Sequence, residues 1–118
     1  MPSPVIDLET IETLKSLNPD DNGEFLREII QIFLEDTPAR IAELDLTTTT
    51  GDAPKFIRAA HSIKGSSANM GALALRDVAE KLEHYAKTNG VAGSGSLLAD
   101  LKSAYAEAEV AIKQFLPA

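Results

Sequence analysis

The segment Ala59–Gly71 brings an imidazole, an ammonium group and a stretch of bare backbone together at one-turn spacing, as His61, Lys64 and Gly65. Read as a helix at about 100° per residue, Phe56, Ala60, Ile63, Ser67 and Met70 fall on one narrow, mostly apolar stripe. His61 then points roughly 130° away from the centre of that stripe, toward water. Lys64 at i+3 and Gly65 at i+4 lie one turn further along, beside the ring. An exposed imidazole stays largely neutral, and so nucleophilic, near neutral pH. The lysine offers a mobile point charge with three donors, suited to phosphoryl oxygens. A mid-helix glycine costs about 1 kcal/mol relative to alanine, but it leaves main chain open to close approach by another surface. These residues together suit a nucleophile set beside a cation able to hold an anionic group. Ser66 and Ser67 have no base beside them and are poor nucleophile candidates, and Asn69 suits a local helix-end role.

The elements that must position this segment are helical throughout. Asp7 caps a first helix to about Leu17, with Leu8, Ile11 and Leu14 as its apolar stripe, and Asn18-Pro19-Asp20 breaks it. Asp21 and Glu24 have the form of a capping box for a second helix from about Asn22 to Asp45. Its apolar phase continues across Pro38, from Phe33 through Thr37 to Ile41, which predicts one bent helix. Thr47–Thr50 with Gly51 reads as a loop. Asp52 caps the third helix, Pro54 sits tolerably in its first turn, and it ends near Gly71. A fourth helix runs from about Ala72 to Thr88, with Leu75, Val78, Ala79, Leu82, Tyr85 and Ala86 inward. After Asn89-Gly90 and a flexible link, a fifth runs from about Ser96 to Phe115, burying Leu97, Leu101, Tyr105, Ala108, Ile112 and Phe115. Five amphipathic helices without a strand signal predict an all-α fold, an up-down four-helix bundle with an additional N-terminal helix. One domain over residues 1–118, with a core of about 6–115, accommodates them.

Composition excludes several functions. The net charge of −7 argues against nucleic acid or an anionic membrane as the main partner. Around the histidine the balance reverses, with Lys55, Arg58 and Lys64 against one acid between Asp52 and Gly71. With no cysteine there is no disulfide framework, thiolate chemistry or cysteine metal site. No apolar run approaches the roughly 20 residues of a membrane span, and the N-terminus lacks a signal peptide, so a cytoplasmic location is expected. A di-iron bundle requires Glu-x-x-His on two helices, whereas Arg58 precedes His61 and Lys81 precedes His84 at that spacing. His84 itself points away from the inner stripe and reads as surface. There is no phosphate cradle of the Walker or Rossmann type and no kinase nucleotide motif, so the chain is not expected to phosphorylate itself.

The run Ala60-His61-Ser62-Ile63-Lys64-Gly65-Ser66-Ser67, followed by Met70-Gly71-Ala72, resembles the signature of histidine-containing phosphotransfer (HPt) domains. Ile63 stands where that family usually has leucine, a mild change on a core-facing position. The resemblance implies a phosphorelay carrier whose His61 takes a phosphoryl group from a receiver aspartate or a kinase and passes it to another receiver. Glu83 falls where many members hold a Gln or Glu that contacts the imidazole Nδ1, and Lys87 falls at a position that is often basic. Read without the family, these two are an exposed i,i+4 pair worth a few tenths of a kcal/mol. Partners implied are receiver domains of response regulators or hybrid histidine kinases, which would bring the Mg²⁺; the chain itself is expected to carry no cofactor or metal. A monomeric carrier, not an enzyme, is expected, and the start at Met1 with the finish shortly past Phe115 suggests a freestanding protein. A docking patch is expected from Ile57 and part of the first helix. Two other readings stand: the phosphotransfer domain of a chemotaxis-type kinase, and a helical adaptor with an idle histidine, against which the intact His61-Lys64-Gly65 set counts.

Overall fold

The fold comes from a computed structural model that describes residues 3–18 and 20–116. Pro2, and Pro19 of the Asn18–Asp20 break, lie outside the described residues. The elements are α1 (Leu8–Ser16), α2 (Glu24–Thr50), α3 (Ala53–Met70), α4 (Leu73–Asn89) and α5 (Gly95–Lys113), with no strand among the described residues. Each helix from α2 to α4 packs on the next, and α5 closes the ring against α2. The short α1 lies against α2 and α3, so the predicted architecture is the observed one.

The core is a single cluster to which every helix contributes: Ile11 from α1, Ile30 and Leu44 from α2, Phe56 and Ile63 from α3, Leu75 and Leu82 from α4, Leu101 and Ile112 from α5. These nine fully buried side chains contribute on the order of 20 kcal/mol between them. α2 is one 27-residue helix that runs through Pro38. At about 40 Å it spans most of the 48 Å long axis, as the continuous apolar phase predicts.

Three local expectations are corrected. Thr47–Thr50 are helical. The Thr47 hydroxyl donates to the Glu43 carbonyl at 2.7 Å and that of Thr48 to the Leu44 carbonyl at 2.8 Å, so these poor helix formers satisfy their own hydroxyls within the helix. Thr47 is also buried, and Gly51 at φ 76° closes the helix end. The expected capping box is not made: α2 is capped at Gly23 without a side-chain cap, Asp21 accepts from the Gly23 and Phe25 amides, and Glu24 turns to Arg27. Finally, α5 buries Leu98 ahead of Leu97, and it ends before Phe115, where i→i−3 bonds tighten the chain and Lys15 covers the half-buried ring.

The start of the chain fixes the end of α3. The Asp7 amide donates to the Gly71 carbonyl at 2.8 Å and the Ala74 amide to the Pro4 carbonyl at 3.0 Å. Gly71 adopts φ 81°, and a Cβ there would lie 2.8 Å from the Thr10 Cβ. That turn sets α4 antiparallel to α3 and brings the middle of α4 beside His61.

Candidate functional site

α3 presents His61 outward because Ala60, Ile63, Ser67 and Met70 hold the opposite face in the core. The imidazole is 65% exposed. From α4, Glu83 reaches back toward it. Glu83 lies on the edge of the inner stripe formed by Leu82 and Ala86, and its side chain is only 5% exposed. The residue is thus buried; a merely surface pairing with Lys87 does not describe it.

Three donors converge on this carboxylate. His61 Nδ1 lies 2.9 Å from Glu83 Oε2, Lys64 Nζ 2.8 Å from Oε1, and Lys87 Nζ 3.1 Å from Oε2. Burial pushes the Glu83 carboxyl up, but hydrogen bonds from Lys64, Lys87 and His61, together with the Lys64 charge, bring it down to about 2. The Lys64 ammonium is in turn held above its usual range, chiefly by its hydrogen bond to Glu83 and against some desolvation. An ionised carboxylate can only accept, so the proton of the 2.9 Å contact sits on Nδ1. The neutral ring then has its lone pair on Nε2, the edge facing solvent.

Gly65 lies on the same exposed side of α3, and a Cβ built on it meets nothing within 4 Å. Nothing inside the protein requires glycine there. Lys64 is drawn away from water onto Glu83, with 29% exposure against 57% for Lys87. The structure therefore brings His61, Lys64, Glu83 and Lys87 into one cluster, with Gly65 beside it. His84 is exposed on the far side of Glu83, and Ser67 is buried in the core. Among the described residues no group of three or more acidic or histidine side chains is placed to hold a metal ion. No helix among them is long and apolar enough to cross a membrane.

Of the expected docking patch, Ile57 is half-buried at the core edge, while Leu8 and Leu17 of α1 are exposed. A shallow apolar groove of about 170 Å³ that sequence reasoning missed lies between α2 and α3, floored by Phe33 and Met70 and edged by Ile29 and the exposed Ile32. Ile32 is the signal that could have found it, an isoleucine on the polar side of a long helix.

The family model described as "Hpt domain" matches residues 28–111, the span that holds the whole cluster. Multistep phosphorelay regulator 1 of Schizosaccharomyces pombe is 31% identical over 81 residues, which is 69% of this chain and 28% of that protein. The chain therefore spans little more than a quarter of that relative. The crystal structure of histidine-containing phosphotransfer protein B from Pseudomonas aeruginosa PAO1 superposes with a TM-score of 0.84 at 27% identity, covering 94% of this chain and 93% of that one. The HPT domain of a sensor hybrid histidine kinase from Shewanella shares the fold with a TM-score of 0.69 at 18% identity, covering 92% and 94%. With the matched span, the bundle and the outward histidine in agreement, the chain belongs to the Hpt domain family, the histidine phosphotransfer carriers of two-component signalling.

Proposed function

We propose that His61 is the phospho-acceptor and that Lys64, Gly65, Glu83 and Lys87 serve it. A receiver domain presents an aspartyl phosphate over the α3 face. The Nε2 lone pair attacks phosphorus in line, the N–P bond forms as the P–O bond to the aspartate breaks, and the aspartate leaves as a carboxylate. The Nδ1 proton stays on the ring throughout, and Glu83 compensates the positive charge that develops there. Lys64 and Lys87 leave the cluster with one net positive charge, which favours the incoming phosphoryl oxygens. Gly65 lets the receiver backbone approach the ring.

The reverse transfer to a second receiver uses the same atoms, so the protein is a stoichiometric carrier and not an enzyme. The Mg²⁺ of the reaction belongs to the receiver, and the carrier works as a cytoplasmic monomer without nucleic acid. Receivers of response regulators or hybrid histidine kinases are the partners on this reading. The observation that carries it is the 2.9 Å contact from Nδ1 to a carboxylate kept ionised down to about pH 2. It commits the nucleophilic lone pair to the exposed edge of the ring.

The test is label transfer from an acetyl-phosphate-charged receiver, scored as an acid-labile, base-stable adduct. Wild type takes up label and His61→Gln takes up none. A labelled His61→Gln protein would defeat the assignment.

A further inference from the structure

Two flanks of α3 carry positive charge, and they differ in how it is used. On the α4 side both lysines are held by Glu83. On the α2 side Arg58 stands one turn before His61, about 60° round the helix, with Lys55 a turn earlier. Both are exposed, and neither has an ion-pair partner among the described residues. With Arg40, Glu43, Thr47 and Ser62 they line an open groove of about 440 Å³ between α2 and α3. Arg40 is shared between Asp36 at 3.5 Å and Glu43 at 2.8 Å, so the uncompensated charge of the groove is that of Lys55 and Arg58.

Helical side chains lean toward the N-terminus, so the ring of His61 lies over the turn that carries Arg58. Arg58, one turn before His61, and Ser62, next to it in the chain, both line the groove, so this end of it opens beside the histidine. Any partner that brings a phosphorylated aspartate to Nε2 must also cover this groove. A partner that holds Mg²⁺ against its aspartyl phosphate does so with carboxylates, and the carrier as a whole, at −7, repels an acidic surface. At physiological salt, screening cuts off charges beyond about 8 Å. The local excess of cations then decides the encounter, and a guanidinium fork matches a carboxylate in two-point contact.

We propose that this end of the α2–α3 groove is the seat for an acidic segment of the receiver domain, with Arg58 and Lys55 as its anchoring charges. The inference rests on His61 being the phospho-acceptor.

The experiment compares wild type with Arg58→Ala, Arg58→Glu, Arg58→Lys and Lys55→Ala. Second-order transfer from a charged receiver is measured at about 50 and about 500 mM salt. Labelling by phosphoramidate, a small donor that needs no docking, is measured alongside. Receiver transfer at low salt is expected to fall about tenfold in Arg58→Ala and further in Arg58→Glu, with a flatter salt dependence, and to recover only in part in Arg58→Lys, which keeps the charge but not the two-point fork. Phosphoramidate labelling stays within about twofold of wild type, since an exposed side chain at this site has little part in folding. Wild-type receiver rates and salt dependence in Arg58→Glu would overturn the seat. Equal losses with both donors would overturn it too, by showing that Arg58 acts on the phosphoryl group itself. If wild type took no label at His61 from either donor, the phospho-acceptor reading would fail first.

Discussion

Gly65 shows most directly what function costs this protein. It occupies the middle of a helix where a Cβ would meet nothing within 4 Å, so alanine fits without strain. Gly65→Ala is expected to stabilise the fold by about 0.5–1 kcal/mol through helix propensity alone. A long side chain such as Gln should gain nearly as much, while slowing receiver transfer more than tenfold because it stands where the partner backbone comes close. Urea denaturation and the transfer assay together read both effects. Unchanged transfer in Gly65→Gln would leave the glycine without a role. Glu83 is the complementary case, a residue whose worth lies in what it holds. One buried carboxylate orders an imidazole and two ammonium groups at 2.8–3.1 Å.

Among elements, the turn between α3 and α4 decides whether that cluster exists. It sets the register that brings Glu83 on one helix opposite His61 on the next, and the chain before α1 clasps it through Asp7 and Pro4. Gly71 and Gly51 both adopt left-handed backbone, at φ 81° and 76°. Only Gly71 has neighbours, with Thr10 Cβ 2.8 Å and the Asp7 carbonyl 3.2 Å from a built Cβ; at Gly51 nothing lies within 4 Å. Gly51→Ala is therefore expected to cost about 1 kcal/mol, the backbone penalty alone. Gly71→Ala should cost roughly 2–3 kcal/mol, because the clasp must also shift. Equal losses in chemical denaturation would mean that the clasp yields freely.

At the scale of the whole molecule, the cluster links folding to acid. The Glu83 carboxyl titrates at about 2 in the folded state against an ordinary 4.5. A lowered folded-state value means that its stabilisation is complete above about pH 4.5 and fades as pH falls toward 2. Asp77, held low by hydrogen bonds from Ser3 and, against burial, from Arg76, acts with the same sign. Glu83→Gln removes the titration. The stability gap between wild type and this variant is expected to be roughly 2 kcal/mol at neutral pH and to close across that acid window. Denaturation curves at stepped pH measure it. A gap that stays constant from pH 6 to about pH 2.5 would show that the ion pairs do not drive it.

The amino-acid sequence by itself determined the helices, their order and the outward direction of His61, because a 3.6-residue period needs only local information. The spacing from Phe56 to Met70 already places the ring in water, and Gly71 and Gly90 mark where helices stop. Tertiary structure alone decided that Thr47–Thr50 remain helical, that Leu98 turns inward ahead of Leu97, and that Glu83 is buried beneath two lysines and an imidazole. Each of those outcomes depends on which face of a neighbouring helix supplies the contact, and a one-dimensional pattern does not carry the register between helices.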